Sequence, residues 1–369
     1  MSTDMESNIY QVKVNEMISL FTRLYTNPKR GISKMPSQML WGPPGIGKSR
    51  GIKAFGEALE ESVSKLRGKP VKVVFTDVRL LLFNPVDLRG IPVADEKREL
   101  AIWLKPKIFQ MDPDPSIINI LFLDEISAAP LSVQAAAYQI TLDRVVGEHR
   151  LPDNCIVIAA GNRVTDKSVA YKMPKALANR LTHMELICEI DDWKQWAIPA
   201  GVDPQIIGFL NFKNSSLFRF DPNNDDNAYP TPRSWENVDS YIKEFNGDVE
   251  AAFPLIAGVI GKGCATDFKG YIKVFDKLPN IKEIYDGIEK NAPPNEPSIL
   301  YALSAAISAY APKANAAQLK NLLGYFMKMP TEFTALTIKD MGVIKSVKDN
   351  ILKCPEWLEW CKKNKSFVL

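Results

Sequence analysis

From Gln38 to Leu186 short apolar runs alternate with amphipathic or turn-rich stretches, and near Asp191 the alternation gives way to helical spacing. Five runs in the first part have the length and composition of strands: Gln38–Trp41, Val71–Thr76, Asn119–Leu123, Cys155–Ala160 and Met184–Cys188. The middle ones, VKVVFT, NILFL and CIVIAA, are almost continuously apolar. A strand wet on one face alternates, so continuous runs predict parallel strands covered on both faces by helices. Helix-like stretches fall where that layout needs them. Lys48–Ser64 follows a glycine-rich turn, and Leu131–Leu142 follows Pro130.

Beyond Asp191 the helical pattern is broken by two polar, proline-rich joints, FDPNNDDNAYPTPRSW at 220–235 and KNAPPNEPS at 290–298. Between them Arg233–Phe245 and Val249–Val274 read as helices, and LYALSAAISAYA and LKNLLGYFMKM repeat the spacing further on. This predicts an α/β domain over 1–190, an all-α domain over 191–295 and a helical C-terminal region over 296–369. No internal repeat or low-complexity tract interrupts the plan.

Composition narrows the chemistry. The 369 residues are 46% apolar and 24% charged, ordinary for folded domains, and the net charge of +3 is too small to argue for nucleic acid by itself. The five cysteines form no CxxC pair, which fits a reducing compartment. The start, MSTDMESNIYQVKVNEM, has acids and no apolar core, and no run approaches the ~18 apolar residues that span a bilayer, so a cytoplasmic protein without a membrane span is expected. With histidine only at 149 and 183, a histidine-based metal or acid–base centre is nearly excluded. Lys, Arg, Asp, Glu and Asn are left to carry the chemistry.

Residues 42–49, GPPGIGKS, satisfy G-x-x-x-x-G-K-[ST] with Gly42, Gly47, Lys48 and Ser49 in the fixed places, between a predicted strand and a predicted helix. Backbone N–H groups of such a loop and the helix N-terminus converge on a polyphosphate, so Gly45, Ile46 and Arg50 count as nucleotide-binding positions, and so do Pro43 and Pro44, which line the loop without an N–H to donate. Lys48 would reach the β- and γ-phosphates, and the Ser49 hydroxyl would ligate Mg²⁺. A second apolar run, IINILFL, ends in Asp124-Glu125. Open parallel sheets bind ligands at the carboxyl ends of their strands, so Asp124 can hold the Mg²⁺ and Glu125 can polarise the attacking water. Asn162 closes CIVIAAGN. Alone it is a turn residue, but beside the other two elements its amide can orient that water.

GPPGIGKS, LFLDE, IAAGN and ALANR, in this order, resemble the AAA+ ATPases, and more narrowly the MoxR branch. NPVDLRGIPVADEKRELAIWLKPKIF at 84–109 is similar to that branch's insertion in helix 2, and DEISAAPLSVQAAAYQITLDR to the segment after its acidic pair. The resemblance implies a P-loop NTPase core with a parallel five-stranded sheet and flanking helices. It makes Lys48 and Ser49 the Walker A pair, Asp124 and Glu125 the Walker B pair and Asn162 sensor 1. Arg180, in PKALANRLTHMEL, matches the arginine finger offered to a neighbouring subunit, its alternative being a helix-terminal Arg. Arg233, in TPRSWENV, matches the lid arginine of sensor 2, its alternative a first-turn surface residue. Arg144 and Arg150 either face a neighbour or are plain surface charges. The short turn VVGEHRLPDN departs from the longer hairpin expected there.

The same resemblance implies an ATP- and Mg²⁺-dependent homo-oligomeric ring, six subunits being the family habit. Its ATP hydrolysis would remodel or mature a protein client, often presented by a partner with a von Willebrand factor A domain. Leu100, Ile102 and Trp103 are candidate client contacts, Trp103 equally a core anchor. The alternative is a nucleic-acid motor or clamp-loader-like ATPase, which needs a basic groove that the scattered Lys and Arg do not suggest. A small-molecule kinase leaves Asn162, Arg180 and the helical lid unexplained.

Overall fold

The computed structural model describes residues 9–163, 171, 173, 175–224, 226–289 and 291–364; the acidic residues at 1–8 lie outside them. The chain divides into two compact units, one running through Cys188 with a short segment at Asp221, the other starting at Glu189. No helix among the described residues is long and apolar enough to cross a membrane.

In the first unit the elements are, in chain order, β1 (Gln11–Lys13), α1 (Val14–Thr26), β2 (Gln38–Trp41), α2 (Lys48–Arg67), β3 (Lys72–Arg79), α3 (Pro85–Arg89), β4 (Ile91–Ala94), β5 (Ala101–Leu104), β6 (Ile117–Asp124), α4 (Leu131–Asp143), β7 (Val145–Val146), β8 (His149–Arg150), β9 (Cys155–Gly161), α5 (Lys175–Ala178) and β10 (Thr182–Ile187). Six strands form one parallel sheet in the order β1-β10-β2-β9-β6-β3, while β4-β5 and β7-β8 are small antiparallel hairpins. The central strands are buried as their composition requires: Ile118–Asp124 and all of β9 are shielded from solvent.

The sheet therefore has six strands and not the expected five. The sixth, β1, pairs Gln11 with Glu185 along the flank of β10. Three residues, of which only Val12 is buried, are too short to show a period, and the pairing comes from the neighbouring strand. Likewise β3 outruns its apolar stretch, because Asp77–Arg79 continue the ladder onto Phe122–Asp124 of β6.

The second unit is helical: α6 (Ile190–Ala197), α7 (Pro204–Phe212), α8 (Pro232–Glu244), α9 (Val249–Ile260), α10 (Lys262–Ile272), α11 (Ile281–Tyr285), α12 (Pro297–Tyr310), α13 (Ala316–Phe326), α14 (Thr331–Met341), α15 (Lys345–Leu352) and α16 (Pro355–Lys363). The stretch 249–274 is two helices and not one. Gly261, at φ +80°, breaks it, and a side chain there would meet the Ala228 carbonyl at 2.8 Å. Thr231 and Ser234 cap α8 reciprocally and Pro232 takes its first turn, which fixes where that helix begins. Phe209 on α7 packs against Trp235, Phe268 and Tyr271 at ring-centroid distances of 5.3–5.6 Å. Lys194 on α6 is 1% exposed and reaches Asp340 on α14, also 1% exposed, at 2.6 Å. Asn211 donates to the other oxygen of Asp340 at 3.3 Å, and Asp191 gives Lys194 a second carboxylate at 3.1 Å.

Candidate functional site

The carboxyl ends of β2, β9 and β6, neighbours in the sheet, bring together most of the residues singled out by sequence. The loop Gly42–Gly47 leaves β2, runs through Pro43, Pro44, Gly45 and Ile46, and turns directly into α2. Gly45 and Gly47, at φ +79° and +106°, hold backbone shapes that side chains resist. The loop is tied to the next strand by the Gly42 N–H, which donates to the Gly161 carbonyl at 3.3 Å.

Lys48 Nζ donates to the carbonyls of Gly42 and Pro43, the latter at 3.1 Å, and to Asn162 Oδ1 at 3.0 Å. An ammonium held by neutral oxygens at the lip of a glycine-rich loop is placed to exchange them for phosphate oxygens. Ser49 Oγ donates to Asp124 Oδ2 at 2.8 Å, and the Glu125 N–H donates to Asp124 Oδ1 at 2.9 Å. Glu125 itself sits at φ +57°, a left-handed turn that is strained for a residue other than glycine. Arg50 is exposed on the first turn of α2.

The Asn162 N–H donates to Ser127 Oγ at 2.9 Å. That hydroxyl also crowds Gly161, where an added Cβ would lie 2.7 Å from it. Sequence reasoning missed Ser127, and it missed Asp77, which lies one residue beyond the apolar run of β3. Asp77 Oδ1 is buried with no hydrogen-bond partner among the described residues. Burial and then the charge of Asp124 push its carboxyl above the ordinary value, with Arg79 and Lys53 pulling the other way. A polar residue breaking an apolar strand was the available signal.

The arginines are carried by other elements. Arg180 is exposed in the turn between α5 and β10, and Arg233 is exposed on the first turn of α8, in the other compact unit. Arg144 is not a free surface charge, because its guanidinium donates to the Cys155 carbonyl at the start of β9. Arg150 is exposed. Arg163, unremarked in the sequence, pairs with Glu185 on β10, which is 3% exposed. The segment 84–109 folds as α3 and the β4–β5 hairpin. Leu100 and Ile102 there are 68% and 43% exposed, Trp103 is half-buried, and its carbonyl meets His149 Nε2 of the β7–β8 hairpin at 2.8 Å.

Among the described residues no cluster of three His, Cys, Asp or Glu could cage a metal. Mg²⁺ needs no such cage: one or two protein oxygens suffice when water and phosphate complete an octahedron. Ser49 Oγ and Asp124 are a donor set of that kind, so the residues fit the ion.

Residues 38–183, which run from β2 through the phosphate loop to the first residues of β10, match the sequence model of the ATPase family associated with various cellular activities (AAA). This span is an AAA+ ATPase domain, and it contains the loop, the acidic strand end and the asparagine. Within that class the chain is similar to chaperone MoxR1 of Mycobacterium tuberculosis, 25% identical over 146 residues that make up 38% of this chain and 33% of the relative. It thus spans about a third of the length of the curated relative it matches. Among solved structures, the Aeropyrum pernix ORC2 protein is 13% identical over 76% of this chain and 75% of its own, with a TM-score of 0.40. PCH-2 of Caenorhabditis elegans is 14% identical over 72% and 70%, with a TM-score of 0.32.

Proposed function

We propose that the protein is an ATP-hydrolysing remodeller of the MoxR kind. In this reading it acts as a homo-oligomeric ring, six-membered by family habit, on a protein client in the cytoplasm, with a von Willebrand factor A domain protein as partner. The observation that carries the reading is the meeting of three strand ends: Lys48 bonded to Asn162, and Ser49 to Asp124, around one glycine-rich loop.

ATP would lie with its phosphates against the N–H groups of residues 45–50, and Lys48 would trade its carbonyl partners for β- and γ-phosphate oxygens. Bound Mg²⁺, held by Ser49 and Asp124, would neutralise phosphate charge. Glu125 takes the proton of the attacking water, and Asn162, held by Ser127 and released by Lys48, orients it. Arg180 serves the site of the next subunit, where an arginine finger contributes ~10³–10⁵ in rate. Arg233 reads the γ-phosphate from the lid, 191–295, while 296–369 is an accessory helical region. Loss of the γ-phosphate frees both arginines, and the resulting motion acts on the client. Leu100 and Ile102, exposed on the β5 side of the hairpin, are its contacts.

The test is a trap. Glu125→Gln protein loaded with ATP and Mg²⁺ in its native host should bind nucleotide, fail to turn it over and retain a stoichiometric protein identified by mass spectrometry. Undiminished turnover removes Glu125 as the base. Nuclease-sensitive DNA or RNA with no protein partner overturns the remodelling reading in favour of a nucleic-acid motor.

A further inference from the structure

Both ring nitrogens of His183, on β10, are engaged. Trp41 Nε1 lies 2.9 Å from Nδ1, and Nε2 lies 2.7 Å from the carbonyl of Ala178. An indole N–H only donates and a carbonyl only accepts, so Nδ1 must carry the lone pair and Nε2 the proton. The two ring planes lie within 13° of each other. A single tautomer satisfies both ends, and the residue works as a rigid link with a defined direction.

What it links is specific. Trp41 is the last residue of β2, directly before Gly42 and the phosphate loop. Ala178 ends α5, and its carbonyl already accepts the Leu181 N–H at 3.3 Å, closing the turn that contains Asn179 and Arg180. His183 therefore adds a second donor to the one carbonyl that closes the Arg180 turn, and anchors it to the strand that delivers the phosphate loop. Backbone pairing holds β10 itself to β2, with His183 opposite Met39 and Glu185 opposite Trp41; the imidazole adds the end of α5 to that connection.

We propose that His183 is a positioning residue that sets Arg180 relative to the phosphate loop of its own subunit, so that the state of one site is felt in the arginine offered to the next. This deepens the role given to Arg180 above and rests on it. His183 touches no phosphate; it acts through the Ala178 carbonyl and the Trp41 indole.

The experiment compares His183→Leu, His183→Gln and Trp41→Phe in the full chain, with steady-state kcat and KM for ATP and a thermal melt for each. Glutamine can accept from Trp41 and donate to Ala178 as imidazole does, whereas leucine can do neither. Since a misplacement of about 1 Å costs ~10² in rate, His183→Leu should lower kcat ~10- to 100-fold with little change in KM, and His183→Gln should recover most of it. Trp41→Phe, which keeps an apolar ring and loses the donor, should fall in the same direction and decides the matter if the leucine variant does not fold. In an Arg180→Ala background the leucine change should add nothing, as for residues acting as one unit. Wild-type kcat in Trp41→Phe and a folded His183→Leu, or an undiminished further loss in the Arg180→Ala background, overturns the link. Wild-type kcat in Arg180→Ala alone overturns the finger assignment instead, and the link falls with it.

Discussion

Removing the amine of Lys194 gives the sharpest test of how the helical unit is held. Lys194→Met keeps the stem of the side chain and deletes the charge. Asp340 then remains 1% exposed with only Asn211 at 3.3 Å to answer one of its oxygens. Breaking one side of a buried ion pair costs about 3–5 kcal/mol, because the surviving charge is left without water or partner. Asp191 is 46% exposed and keeps Lys339 at 2.6 Å, so its share of the loss is small. The deficit should also depend on pH with a definite sign. Burial already raises the Asp340 carboxyl above its ordinary value against the pull of Lys194, and the methionine variant removes that pull. A group raised in the folded state favours folding at pH below its unfolded value and loses that contribution as pH rises through its folded value. The variant should therefore be nearest to wild type at the ordinary carboxylate value of ~4 and furthest from it at neutral pH. Urea unfolding of the full chain, followed by tryptophan fluorescence at several pH values, measures this directly. A loss under about 1 kcal/mol at pH 7, or one that is flat with pH, refutes the reasoning. Adding Asp340→Leu to the variant should restore most of the stability, since a well-packed apolar pair can replace a buried ionic one.

Gly161→Ala drives a methyl group onto Ser127 Oγ at 2.7 Å and Met39 Cε at 3.1 Å; it should cost about 1–3 kcal/mol in a denaturant titration and slow ATP turnover by disturbing the Asn162 anchor. Mixing Arg180→Ala protein with Lys48→Ala protein should restore part of the ATPase activity that each lacks, and no rescue at any ratio would count against shared sites. His149→Ala removes the bond to the Trp103 carbonyl and should speed proteolytic cleavage within 84–109 while leaving cleavage of the helical unit unchanged. Ser49→Ala removes the hydroxyl that bonds Asp124 and should weaken ATP binding in the presence of Mg²⁺ more than in its absence, as titration with a fluorescent nucleotide would read.

Which parts of this molecule could be read from sequence follows from the range of the forces involved. The runs that became β6 and β9 were legible because burial on both faces makes each run apolar by itself. The loop 42–49 was legible because its fixed residues fall within eight neighbouring positions. By contrast β1 is made by β10, and the last residues of β3 by β6, so their own composition says little. The break at Gly261 depends on the carbonyl of Ala228, which no helical period records. In the site, Lys48, Ser49, Asp124 and Asn162 were found from motif order. Ser127, the Arg163–Glu185 pair and the Trp41–His183 bond were not, because each gains its meaning from a partner distant in sequence, and Asp77 was not, because its burial is set by the fold around it. The bond from Arg144 to the Cys155 carbonyl was likewise hidden, since it joins positions eleven apart across a turn.

The sixth strand also sets a clock on biosynthesis. Gln11 finds its partner at Glu185, so β1 is made about 170 residues before the strand it pairs with. A ribosome adding ~5–20 residues each second leaves that segment waiting for roughly ten to thirty seconds with its pairing groups unmet. Until Thr182–Ile187 emerge, neither β1 nor β2 has the neighbour between them, and the phosphate loop hangs from an unfinished sheet. The half of the molecule proposed to spend ATP on other chains is thus itself slow to close, and during that interval its exposed strand flank is open to chaperones or to a second nascent copy.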